Sequence, residues 1–267
     1  PPRSTQGVAS AASDVYKRQD SHPPEWAIGQ RHLIDVMNEA APKFQARYTR
    51  DDGTLIWRDE FPGMDGSDDG YESFYNWPIL YTLGGGKHCL ELGDRQWDAT
   101  TNLLEEIGHV QKDYEIGYDQ FPQSESYIYF YALCMADPTN AKHGDRARRF
   151  AGFYLGDDPL AANYDPKLRI IRSLMNGSRG PVTRRAELSD WAGEPFENGR
   201  FTPLRWHKTY QDYLTHFSTY RDVAGDSPSN LCATAMAFQT YLFSGEERYR
   251  KWILDYVDAW IERMDSN

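Results

Sequence analysis

Three times in this chain an apolar run ends in a Gly or Asp turn and gives way to an amphipathic, Arg-bearing run. The junctions are LGGGKHCLELGDRQW (83–97), MADPTNAKHGDRARRF (135–150) and LFSGEERYRKW (242–252). A unit recurring in this way cannot bury its own apolar face, so neighbouring units must stack on one another. Each unit reads as a helical hairpin, with an inner helix enclosed by its neighbours and an outer helix half in water.

The individual helices follow from spacing and punctuation. Trp26, Ile28, Leu33, Val36, Met37, Ala40, Ala41 and Phe44 fall mostly three and four apart, which predicts a helix over 25–48 with Pro42 breaking it near its end. A second helix is expected over about 69–83, with Pro78 kinking it or ending its first part, and Gly84, Gly85 and Gly86 stopping it. Further helices are expected from Leu92 or Gly93 to about 110, and over 124–136, 139–155, 227–243 and 246–264. The runs SESYIYFYALCMA (124–136) and SPSNLCATAMAFQTYLF (227–243) are apolar nearly all round, as enclosed helices require. No segment alternates polar and apolar with a period of two over any length, so little sheet is expected. Residues 156–216 carry five prolines and several glycines, yet also Trp191, Phe196, Phe201 and Trp206. That mixture suits a long ordered loop with short turns.

The first nineteen residues stand apart. Ser13 to Gln19, SDVYKRQ, looks like a translated sequencing-library adapter, so 1–19 is read as a non-native disordered tail, with a natural disordered N-terminus as the alternative, and 20–267 as the folded domain. The tail holds three basic residues and one acidic one, so the remainder is more acidic than the chain's net −11. Such a charge disfavours nucleic acid and anionic membrane as partners. No run of about 18 apolar residues offers a membrane span. Cys89, Cys134 and Cys232 lack metal-ligand spacing and read as buried free thiols. On this reading the natural start of the chain is expected to be missing, which leaves localisation open.

The hairpin order resembles the (α/α) toroid family of carbohydrate-active enzymes, which includes glycoside hydrolases and polysaccharide lyases. The resemblance rests on that order together with DGSDDGYESFYNWP (65–78), QSESYIYFYALCMADP (123–138) and DSPSNLCATAMAFQTYLFSGEERY (226–249), and covers most of 20–267. It implies an all-α toroid of helical hairpins. About four hairpins are present, so the ring is expected to be incomplete, an open arc with an exposed apolar edge.

The resemblance also implies catalytic groups where inner helices begin. Those places hold Asp68, Asp69 and Glu72, then Glu125, then Asp222, Asp226 and Asn230. Glycoside hydrolysis needs one protonated and one ionised carboxyl. Glu125, followed by Tyr127, Tyr129, Phe130 and Tyr131, is the expected acid, because aromatic surroundings desolvate its charged form. Asp69 or Asp68 is the expected partner; helix capping is the alternative duty for both. Tyr71, Tyr75, Trp77, Trp57 and Trp206 are candidate sugar platforms, and Tyr127 a further substrate contact. Asn176 and Arg179, on the Gly-flanked loop NGSRGP, could clamp a uronate carboxylate. His216, Tyr220 and Arg221 offer the base and neutralising group that a lyase needs.

A calcium site from Asp65, Asp68 and Asp69 lacks the EF-hand spacing, so neither metal nor cofactor is expected. The expected function is thus hydrolysis of an acidic or uronate-bearing oligo- or polysaccharide. The alternatives are a lyase on the same fold and a non-catalytic glycan- or protein-binding helical repeat.

Overall fold

The computed structural model describes residues 22–56, 67–181 and 226–266, and the protein is all-α. Among the described residues there are eight α-helices: α1 Glu25–Tyr48, α2 Asp68–Tyr71, α3 Asn76–Thr82, α4 Lys87–Glu106, α5 Gln120–Ala136, α6 Ala141–Leu155, α7 Thr234–Ser244 and α8 Glu247–Asp265. A 3-10 turn, Pro228–Ala233, leads into α7. Two small antiparallel hairpins complete the set: β1 Val110–Gln111 with β2 Tyr114–Glu115, and β3 Tyr164–Asp165 with β4 Ile170–Ile171.

The stop and start signals act as their chemistry dictates. Asn140 Oδ1 accepts the N–H groups of Lys142 and His143 at the start of α6, and Asp119 Oδ1 accepts that of Phe121 at the start of α5. Gly156 and Gly245 end α6 and α7 in the left-handed conformation, at φ 85° and 67°.

Helices α3–α4, α5–α6 and α7–α8 are the three hairpins the repeat anticipates, each closed by its Gly or Asp turn. Helix α5 packs on α2, α3 and α4, with Trp97 stacked on Tyr71 at 4.4 Å and edge-on to Tyr129 at 5.5 Å. Gly93 lets α4 come within reach of Pro78 and Leu133, where a Cβ would meet Pro78 at 3.1 Å. The Tyr129 hydroxyl donates to the Gly93 carbonyl at 2.6 Å. Helix α7 lies along α6, where Thr240 Oγ1 donates to the Ala147 carbonyl at 2.7 Å. The last hairpin is anchored by Trp252 and Tyr256, stacked on each other and meeting Tyr164 of β3.

Several expectations are corrected. The helix expected over 69–83 is two helices, and the break falls at residues 72–75 rather than at Pro78, which sits in the first turn of α3 where a missing N–H costs nothing. The runs expected to be enclosed all round are not. Phe121, Ile128 and Met135 form an exposed stripe along α5, and Phe238 and Leu242 are exposed on α7. Cys232 is exposed, while Cys89 and Cys134 are buried. Of the loop expected over 156–216, the described part is ordered by β3–β4; residues 182–216 lie outside the described residues.

Pro42 does not break α1, and the reason is specific. Proline has no N–H to give the carbonyl four residues back, which here is Asn38. His88 Nε2 takes that place, 2.9 Å from the Asn38 oxygen, and must carry the ring proton to do so. Asn38 Oδ1 in turn accepts the Gly86 N–H at 2.7 Å. The proline thus frees the carbonyl by which α1 docks on the start of α4. Only Ala41 of α1 is buried, so this polar clasp carries much of the attachment. We predict that His88→Ala costs about 1 kcal/mol and speeds amide exchange across 25–48 while leaving α4–α6 unchanged. Uniform acceleration, or none, contradicts the clasp.

Candidate functional site

Of the carboxylates expected at helix starts, Asp68, Glu72 and Glu125 are brought together, so of the two partners named for Glu125 it is Asp68 that lies beside it. Oxygen atoms of Asp68, Glu72 and Glu125 all lie within 4.8 Å of one another. Asp68 opens α2, Glu72 follows one turn later with its N–H on the Asp68 carbonyl, and Glu125 lies in the second turn of α5. Asp68 is buried, Glu125 half-buried and Glu72 exposed, so the group runs from the protein interior to water. Asp69 is not a member of it. Three carboxylates at this spacing have the hard oxygen donors that could also hold a divalent cation.

Behind this group lies a residue that sequence reasoning missed. Glu115, on β2, is 3% exposed, and its Oε1 accepts the backbone N–H of Ser67 at 2.9 Å. Ser67 Oγ is 2.7 Å from Ser126 Oγ. One hydroxyl bridge therefore joins the residue before Asp68 to the residue after Glu125. The Glu115 N–H donates to the Tyr127 hydroxyl at 3.3 Å.

Desolvation pushes the Glu115 carboxyl up to about 7, against the opposing pull of its hydrogen bonds from Ser67. The only signal in the sequence was a lone Glu amid aromatics in DYEIGYD, within a stretch read as loop.

The hairpin that delivers Glu115 is held from outside. Its two turn residues, Lys112 and Asp113, both take left-handed backbone, at φ 58° and 62°. This is a two-residue turn that usually draws Asn and Gly, and side chains there carry a cost of about 1 kcal/mol or more each. Ion pairs offset it. The Asp113 carboxylate meets Arg146 at 3.3 Å and Arg149 at 2.5 Å, both from α6, and Lys112 pairs with Asp158. On the other side, the Ser178 N–H donates to the Glu115 carbonyl at 2.8 Å. Gly177 packs so close that a Cβ would fall 2.4 Å from that same carbonyl oxygen.

The remaining candidates fall into three groups. Tyr71 and Tyr127 are fully buried, Tyr71 stacked on Trp97 and Tyr127 on Tyr114 at 4.8 Å, so neither has an open face for a sugar. Trp77 is also in the core, packed on Phe74, whereas Tyr75 is half-buried. Asn176 is fully buried too. Its Oδ1 accepts from Gln120 and Tyr154, and its Nδ2 donates to Asn230 Oδ1 and the Ser173 carbonyl, which makes it a hub between loops and not a ligand contact. Asp226 belongs to the same network through Asn230 and Tyr256. Arg179 alone of the loop pair is exposed, its Nε donating to Gln111 Oε1 at 2.6 Å. Trp57, Asp65, Trp206, His216, Tyr220, Arg221 and Asp222 lie outside the described residues.

Residues 15–267 match the family described as a domain of unknown function, DUF8034. The chain belongs to the DUF8034 family. Its match begins within the segment read as a non-native tail and takes in all of the described carboxylate group. No curated protein and no solved structure matches the chain.

Glu115 links this site to stability. A carboxyl with a raised folded-state pKa binds its proton more tightly folded than unfolded. Its contribution is therefore present in full below its ordinary value of 4.5 and is lost as pH rises through about 7. We predict that stability falls between pH 4.5 and 7 by up to ~3 kcal/mol in the native protein and that Glu115→Gln, which stays neutral, removes this fall. Urea titrations of both proteins across that range check it, and parallel curves contradict it.

Proposed function

We propose that the protein is a glycoside hydrolase built on an (α/α) toroid of helical hairpins, with Asp68 and Glu125 as its working carboxyls. The observation that carries this is their convergence. Two groups 57 positions apart, one opening the short helix α2 and the other in the second turn of α5, place carboxylate oxygens within 4.8 Å of each other. A pair of carboxyls flanking one bond is what glycoside cleavage requires. Oxygens this close leave no room for a water between them, which favours attack by one carboxylate on the sugar.

In this reading Glu125, half-buried beside the aromatic run of α5, gives its proton to the leaving oxygen. Asp68, the more buried of the two, attacks the anomeric carbon. Exposed Glu72 sits at the mouth of the site and contacts substrate. Arg179, exposed on the loop that backs β2, is the group offered to the carboxylate of an acidic or uronate-bearing glycan.

Glu125→Gln and Asp68→Asn should each lower glycan turnover by a factor of about 10² or more while leaving the unfolding midpoint within a few degrees. The product should be a reducing sugar with no absorbance of an unsaturated uronate. Appearance of that absorbance would make the protein a lyase. Binding without cleavage would make it a glycan-binding repeat, and undiminished turnover in both variants would remove the assignment.

A further inference from the structure

Asp68 and Glu125 sit on separate helices, and a pair that must act together needs its spacing fixed by something more than the backbone. The residues next to them supply the link. Ser67 and Ser126 are both fully buried, and their hydroxyls lie 2.7 Å apart. Ser126 Oγ also reaches the Pro122 carbonyl at 3.1 Å, one turn back on its own helix. Ser67 is held from the far side by Glu115 Oε1 on its N–H. Glu115 is itself clamped through its N–H to Tyr127 and through its carbonyl to Ser178. The three segments that meet here are the start of α2, the first turns of α5 and the end of β2.

We propose that Glu115 is a positioning residue: acting through Ser67 and Ser126, it fixes the separation of the Asp68 and Glu125 carboxyls without touching substrate. The proposal rests on the hydrolase reading for its purpose but not for its geometry. The Ser67 N–H is committed to Glu115, and the Ser126 hydroxyl, with one proton, lies within reach of both Ser67 Oγ and the Pro122 carbonyl, so the two hydroxyls form the bridge between the helices. The full burial of both serines excludes water from competing for it. A merely structural Glu115 would satisfy the Ser67 N–H and leave the pair indifferent to Ser126.

The test has two arms, run on native protein, Ser126→Ala, Glu115→Leu and Glu115→Gln. The first follows the side-chain carboxyl ¹³C resonances of Asp68 and Glu125 against pH. Carboxyls that interact give up their protons in steps whose separation grows as the groups approach. Ser126→Ala and Glu115→Leu should draw those steps together, and Glu115→Gln, which keeps an acceptor for the Ser67 N–H, should retain most of the native separation. The second arm measures turnover of a 4-nitrophenyl glucuronide. Ser126→Ala should lower kcat about 10²-fold, as a displacement of about 1 Å in a reacting group does, with KM within twofold of native.

Native-like titration in both Ser126→Ala and Glu115→Leu overturns the proposal. Should Glu115→Leu not fold, Ser126→Ala decides alone. A native protein that leaves the glucuronide and a polysaccharide panel uncut sinks the hydrolase reading, while the titrations still decide the positioning.

Discussion

The hydroxyl contact between Ser67 and Ser126 joins the two helices that bring the carboxylate group together. On either side of it stand elements that owe their positions to quite different forces. Helix α5 is placed by its aromatic packing on α2, α3 and α4, with Trp97 touching Tyr71, Tyr127, Tyr129 and Phe130. The β1–β2 hairpin is placed by Tyr114, buried against Tyr127, Phe150 and Phe153, and its turn is held by charge, through Asp113 and the α6 arginines. The start of α2 is placed by Glu115 and by the serine contact itself. Apolar burial contributes the larger share of stability in such a molecule, but it is indifferent to an ångström of sliding. Short polar contacts are what convert an approximate juxtaposition into a defined one.

A second network shows the same division. Gln120, Gln123, Tyr114, Tyr154, Asn176 and Asn230 are joined by side-chain hydrogen bonds at the head of α5, all within the protein interior. Buried amides are costly unless satisfied, and the Asn176 side chain uses both its ends. This network ties the loop before residue 181 to the 3-10 turn before α7, so the starts of two successive hairpins are cross-braced. The carboxylate group lies beside that brace and not within it.

The hairpins were legible in the sequence because their signals are local. A helix that ends at Gly84, Gly156 or Gly245 announces its end in the chain, and three such units in series announce a helical fold. Glu125 and Asp68 were legible as helix-start carboxylates for the same reason. What was not legible depended on distance along the chain. The rescue of Pro42 needs His88, the strained turn at Lys112 and Asp113 needs Arg146 and Arg149, and Glu115 acquires its character only from the burial that Ser67 and Tyr127 complete. Periodicity also misled in one direction. An apolar residue on every face of α5 implied enclosure on every face, yet Phe121, Ile128 and Met135 remain exposed. Tyr71, Tyr127 and Asn176 misled in the other, since residue types suited to sugar binding are equally suited to filling and bracing a core.

The account turns on Asp68 and Glu125 acting as one pair with unequal duties. The most direct measurement is to react the protein with an activated 2-deoxy-2-fluoro glycoside, which slows release of a glycosyl-enzyme, and to map the modified peptide by mass spectrometry. The account predicts a single glycosyl adduct on Asp68, abolished by Asp68→Asn. An adduct on another carboxylate, or turnover of the reagent without any adduct, would contradict it.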